Sequence, residues 1–363
     1  MNKKYLLLPL VVVLTLLVVY SCSSDSDGYV DVDPVSPVVV DLTQVPYANL
    51  SEYKFFEGEM KNQVPSIGVL PYKPLSELFT DYALKKRFVW MPKGVKATYT
   101  SDGEILNFPT GAVLIKNFYY NNVQPGNVTR IIETRVMIKK ETGWIFAEYV
   151  WNDQQTEAIL QMDGSFTPIS WIDGNGINQN ANYRIPSDVE CLICHKTVSN
   201  PIPIGTKPQS LNSDYPFSEG MKNQLTKWIE YGYLDANIPN QIETVVDYKD
   251  VSEPLDLRVR SYVDINCAHC HRLNSHCDYR PMRYAFSESN LSQNMGICVT
   301  PDENISSILT YIVSPNNKTK SVMHHRMNTT DEAIRMPIVG RTMIHKEGVD
   351  LIEQWINSLP PCN

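Results

Sequence analysis

The spacing of hydrophobic positions changes twice along the chain. Residues 6–19 are an almost unbroken apolar run behind Lys3 and Lys4, and Val19-Tyr20-Ser21-Cys22 closes it with a small residue before a cysteine. An apolar run of about 14 residues falls short of the roughly 20 that span a bilayer, so the segment reads as an export signal and not as a permanent membrane helix. Between residues 88 and 172 the period is two. Ala112-Val113-Leu114-Ile115 precedes Phe118-Tyr119-Tyr120, and Ile132, Thr134, Val136 and Ile138 alternate with Glu133, Arg135, Met137 and Lys139, the pattern of a half-buried strand. Glu141-Thr142-Gly143 supplies turn chemistry before residues 144–151, so a hairpin is expected there. From about residue 186 helical spacing takes over. It marks residues 223–233, then 257–266 with Leu257, Tyr262, Val263 and Ile265. It marks finally a closing segment with Val349, Ile352, Ile356 and Leu359 on one face and Pro360-Pro361 to stop it. The expected class is α+β, a β-rich N-terminal module followed by a mainly helical region.

Composition narrows the functional classes. Hydrophobic residues make up 43% and charged residues 20% of 363, inside the globular range and too rich in core-formers for a disordered chain. With 32 Lys plus Arg against 40 Asp plus Glu the formal charge is −8, and no basic stripe is present to neutralise phosphates, so no nucleic-acid partner is expected. Ser23-Ser24-Asp25-Ser26-Asp27-Gly28 and the Val/Pro/Asp stretch to Pro46 suit an extended tether. The chain therefore divides into a signal peptide (1–21), a tether (22–48), a β-rich module (49–185) and two helical segments (186–250 and 251–363). The signal's ending resembles a bacterial lipobox, which implies diacylation of Cys22 and a membrane held through that lipid. The Ser/Asp run is similar to the acidic export tags of surface lipoproteins. Both point to an outer-membrane lipoprotein, periplasmic or surface-exposed.

Two five-residue motifs carry the chemistry. Cys191-Leu192-Ile193-Cys194-His195 and Cys267-Ala268-His269-Cys270-His271 both fit C-x-x-C-H, the attachment signature of c-type haem. Residues three apart share a helix face, so both thiols reach one porphyrin while the following histidine turns its imidazole toward the iron. Ser187 and Glu190 form a capping-box pair that would start a helix just before Cys191. Two covalently attached haem c groups are therefore expected. A zinc site built from both pairs would have to close over the 72 residues between Cys194 and Cys267, far beyond compact zinc modules. A dithiol oxidoreductase lacks the βαβ surroundings that such motifs need.

The second motif sits in the order helix, haem motif, methionine loop, terminal helix, which is that of a monohaem cytochrome c domain. Met336, 65 residues after His271, is then the expected sixth ligand, with Met327, Met323 and His325 as alternatives. A thioether favours Fe(II) and raises the reduction potential. For the first motif no sixth ligand is evident. Met221 lies 26 residues after His195 on a segment where a methionine also serves packing, and an open iron there would allow peroxide chemistry.

With these motifs in view, the chain resembles a bacterial family of exported dihaem c-type cytochromes. The likeness rests on Leu50-Ser51-Glu52-Tyr53-Lys54-Phe55-Phe56, on residues 81–92 (Asp81-Tyr82-Ala83-Leu84 through Trp90-Met91-Pro92), and on Trp144, Tyr149, Trp151 and Asn152. Both haem motifs and Arg335-Met336-Pro337 complete it. It covers residue 49 to the C-terminus. The resemblance implies that Cys191, Cys194, Cys267 and Cys270 hold haem with His195 and His271 as proximal ligands, and that a parallel β-helix repeat protein is a partner. Leu273-Asn274-Ser275-His276-Cys277 departs from the Pro/Gly-rich turn of related sequences. The implied function is electron transfer to redox partner proteins without a catalytic residue. The alternatives are a dihaem peroxidase or substrate oxidase with one open iron, and a binding module in which the β-rich part does the main work. Cys277, Cys298 and Cys362 remain. An exported chain permits a disulfide, and Cys277 with Cys298 is the expected pair, with other pairings and free thiols open. His276, His324 and His345 are expected to be surface or structural.

Overall fold

The alternation at residues 131–139 builds the central strand of a large antiparallel sheet. In the computed structural model, which describes residues 35–198 and 200–362, the order is β1 (Leu70–Tyr72), β2 (Leu84–Trp90), β3 (Val113–Val123), β4 (Val128–Lys140), β5 (Gly143–Trp151) and β6 (Ala158–Leu160). A second hairpin, β7 (Ser165–Ile172) and β8 (Asn178–Ile185), joins the far end of β3 through Val123 and Trp171. The hairpin between β4 and β5 closes where the sequence places its turn, with Lys140 opposite Gly143. Gly143 has φ +128°, a value side chains resist. The export signal and Cys22 lie outside the described residues.

The sheet is covered on both faces. Val113, Ile115, Val136, Ile138 and Tyr149 pack under Val45, Tyr47, Leu50, Tyr53 and Phe55. Leu114, Met137 and Trp144 pack on the other side against Leu211, Leu225 and Trp228. The half-buried expectation for β4 therefore fails: Glu133 is inaccessible, because Tyr183 of β8 and chain from beyond residue 185 cover the face that carries Glu133, Arg135 and Met137. Part of the expected tether is core as well, since Val45 and Tyr47 are buried in the first cluster.

The expected mainly helical region is a second correction. Six short α-helices are present among the described residues: α1 (Asp188–Cys194), α2 (Pro208–Leu211), α3 (Gln224–Glu230), α4 (Leu255–Asn266), α5 (Val322–Met327) and α6 (Lys346–Ser358). The protein is β-rich. Between α4 and α5, Pro281, Pro301 and Pro315 remove amide donors, and Asn274, Gly296, Cys298 and Asn316 adopt left-handed φ, so the helical spacing cannot propagate. Where helices were expected at residues 257–266 and at the C-terminus, they form. α4 and α6 share a core of Val259, Tyr262, Val263, Ile352, Trp355 and Ile356. Ser36–Asn363 is one compact unit, so the boundaries at 185 and 250 fall inside it. No helix among the described residues is long and apolar enough to cross a membrane.

The disulfide joins Cys298 to Cys362, with Cα atoms 5.8 Å apart and a sequence separation of 64, not Cys298 to Cys277. The tail beyond α6 returns to the 296–299 turn, a closure that spacing alone does not reveal. Cys277 is a buried free thiol.

Candidate functional site

The first motif begins on a helix whose start is fixed by its own side chains. Ser187 accepts from the Glu190 amide at 3.4 Å and Glu190 accepts from the Ser187 amide at 2.7 Å, a complete capping box. Arg184 on β8 holds the same Glu190 at 2.6 Å. Cys191 is therefore carried one turn into α1 and lies buried over the sheet, with Sγ 4.0 Å from Glu148 on β5. His195 ends the helix. Its Nδ1 is 2.9 Å from the Ile202 carbonyl; a carbonyl only accepts, so Nδ1 carries the proton and Nε2 keeps a free lone pair. That arrangement orients metal-binding imidazoles. Burial depresses the His195 pKa to about 3, so the ring is neutral.

Cys191 and His195 open onto a cleft of about 720 Å³ floored by the sheet, with Leu114, Val136, Met137, Phe146 and Met162 among its walls. The Phe146 ring packs edge-on to His195 at 5.2 Å. Lys116, Arg135 and Glu148 also reach the cleft. Arg135 is clamped to Glu133 by two bonds of 2.5 and 3.0 Å, whereas Glu148 leaves Oε1 without a partner. Burial, reinforced by Glu133, raises the Glu148 pKa well above the carboxylate range. Burial, with Arg87 and Arg135 nearby, lowers that of Lys116.

The second motif follows α4. Cys267 and His271 line a cleft of about 660 Å³ with Met282, Tyr284, Ile312, Val322, Met323, Met327 and Met336. An adjoining cavity of about 530 Å³ is shared by Cys267, Cys270, His271, Met327, Met336, Pro337 and Cys194. His271 has a buried Nδ1 without a partner, and burial lowers its pKa to about 4. Met336 thus faces the same space as His271, and so does the alternative Met327. Met323 reaches only the first of these cavities, and His325 lines neither.

The two motifs meet. Cys194 Sγ and Cys270 Sγ are 3.8 Å apart, and Cys194, His269 and Cys270 hold their ligand atoms within 4.8 Å of one another. Within that pair the mutual hydrogen bond drives the thiols apart in acidity, Cys194 downward and Cys270 upward. Cys191 and Cys267 lie outside it, each pushed up to about 12 by burial. Such thiols are protonated at neutral pH. A thioether, which is neutral, suits these apolar walls better than a buried thiolate.

Each motif sends its first cysteine and its histidine into one largely apolar cleft, of a size that suits a cofactor, and methionines line both clefts. The second cysteines, Cys194 and Cys270, lie together in the cavity beside the second cleft, so in the first motif the donors that fit a haem in the cleft are Cys191 and His195. Met221, the candidate weighed for the first site, is 66% exposed on the short strand Gly220–Asn223 and is not in the cleft. Met137 and Met162 are there instead. Sequence reasoning missed both because they precede the motif; the one available signal was that Met137 shares the face of β4 with Glu133 and Arg135. Cys277 lines the second site's cavity. His276 is exposed, His324 lies 3.8 Å from Glu353, and His345 stacks on Phe79 at 4.1 Å.

No protein-family model, curated protein or solved structure matches the chain.

Proposed function

We propose that the protein is an extracytoplasmic dihaem c-type cytochrome, anchored through lipid on Cys22, that transfers electrons. The observation that carries this reading is the 3.8 Å approach of Cys194 and Cys270, because it makes the two C-x-x-C-H motifs parts of one continuous site with a separate cleft on either side. Haem c, when bound, supplies a one-electron iron couple. The chain's residues do the rest. Cys191, Cys194, Cys267 and Cys270 offer thiols for attachment, and His195 and His271 offer neutral imidazoles. Met336 offers a thioether that favours the reduced metal, and the apolar walls exclude water. In the first cleft Met137 offers a thioether, while that of Met162 already accepts from the Glu148 amide at 3.4 Å; a thioether in the cleft weighs against an open iron and peroxide chemistry. Redox proteins are the partners this reading requires, and a parallel β-helix repeat protein is the one the family resemblance implies.

A redox titration followed by absorption and EPR, on protein matured with a haem-attachment system, tests the reading. Two low-spin haems are expected. A high-spin signal with peroxide turnover would favour the peroxidase instead. The cluster of Cys194, His269 and Cys270 supports a second reading, a structural zinc site, although it supplies three donors where closed sites use four. Colourless protein with stoichiometric zinc would establish that alternative.

A further inference from the structure

We infer that Asp81 is a positioning residue for Met336, and that residues 79–82 of the β1 to β2 loop set the separation between the second haem motif and its methionine loop. The inference rests on the reading of Met336 as an iron ligand. Asp81 and Tyr82 lie far in sequence from either motif. In the fold their side chains bond to residues 342–347, just after the methionine loop. Asp81 is 1% exposed, and its carboxylate accepts from the Thr342 amide at 2.7 and 2.9 Å, the Thr342 hydroxyl at 2.8 Å and the Met343 amide at 2.8 Å. Its own backbone carbonyl accepts from the Tyr120 hydroxyl on β3 at 2.6 Å. Asp81 is therefore fixed to the sheet through its backbone carbonyl and to residues 342–343 through its carboxylate.

From there the connection to Met336 is one residue long. Arg341, 2% exposed, donates to the carbonyls of Met336 (3.2 Å), Met343 (3.0 Å), Arg326 (3.1 Å) and Thr329 (2.9 Å). The Met336 amide in turn donates to the Arg326 carbonyl at 2.9 Å. The methionine loop has no helix or strand to define it, and this fan of bonds takes that role. The same short loop grips the other side of the site. The Phe79 amide donates to Asn266 Oδ1 at 2.8 Å, and Asn266 is the residue before Cys267. The Tyr82 hydroxyl accepts from the Lys346 amide at 3.1 Å and donates to Glu347 at 2.9 Å, at the start of α6.

Asp81 and Tyr82 also hold left-handed φ angles of 43° and 61°. Consecutive non-glycine residues in that region are costly and persist only where surrounding contacts enforce them. Here the contacts are those just described. A loop that only connected β1 to β2 would not need them.

The test uses full-length holoprotein and three variants, Asp81→Ala, Asp81→Asn and Met336→Ala, read by the near-infrared charge-transfer band of methionine sulfur on ferric haem and by both midpoint potentials. Met336→Ala should remove the share of the band that belongs to the second haem; a band of undiminished intensity means that the ligand assignment beneath the inference is wrong. With that established, Asp81→Ala should weaken the same share of the band and lower one potential only, with both haems still attached. Asp81→Asn, which keeps one acceptor oxygen, should recover part of it. A band and two potentials unchanged in Asp81→Ala would overturn the positioning role, since a loss of stability alone moves neither. Should Asp81→Ala fail to fold, Thr342→Val removes the one hydroxyl donor and must shift the same potential in the same direction; no shift would again overturn it.

Discussion

Glu148 shows how a single residue reports on the first cleft. It faces Arg135 across the strands but leaves one oxygen without a partner, and burial keeps its proton on well above the usual range. In the unfolded chain it ionises normally, so above that ordinary value the unfolded state sheds a proton that the folded state retains. Stability then falls as pH rises. Glu148→Gln should accordingly stabilise the protein at neutral pH. The gain should vanish in acid, where both states are protonated. Urea melts at two pH values check it, and an equal effect at both would disprove the burial account. At this scale each motif was legible because five adjacent residues carry it, but the approach of Cys194 to Cys270, 76 positions apart, was not. Met137, Met162 and the partner of Cys298 were not, because their roles depend on chain that returns from far away.

Elements were legible where their ends carry their own chemistry. The capping box of Ser187 and Glu190 starts α1, and α6 ends before Pro360. The double-sided burial of β4 was hidden, since a polar alternating face looks the same whether water or a returning segment covers it. The same limit applies to helix packing. A methyl on Gly348, in the first turn of α6, would fall on the Tyr262 phenol of α4 and 2.7 Å from His345 Nδ1. Alanine normally favours a helix over glycine by about 1 kcal/mol, yet overpacking costs about 1–3 kcal/mol. The second effect wins because the obstructing groups are themselves fixed by the 3.0 Å bond between Tyr262 and His345. Gly348→Ala should therefore destabilise the protein, seen as a lower denaturant midpoint; a higher one would mean that α6 slides freely on α4.

Over the whole molecule, one sheet serves both sites: its face floors the first cleft, and its β1 to β2 loop holds the second. The tail is tied separately. Because the Cys298 to Cys362 bond closes a loop of 64 residues, chain entropy gives it a contribution of about 4 kcal/mol. Cys362→Ser should lower the unfolding midpoint accordingly, while Cys277→Ser, which breaks no disulfide, should leave that contribution intact. Equal losses from the two variants would contradict the pairing. The most direct test of the central claim is the intact mass of the purified mature chain after denaturation and extraction with acidified organic solvent. Two haem equivalents should remain bonded to the polypeptide, with one lost in a Cys191→Ala, Cys194→Ala variant and the other in a Cys267→Ala, Cys270→Ala variant. A colourless chain of unmodified mass, or haem that leaves entirely with the solvent, would contradict the account.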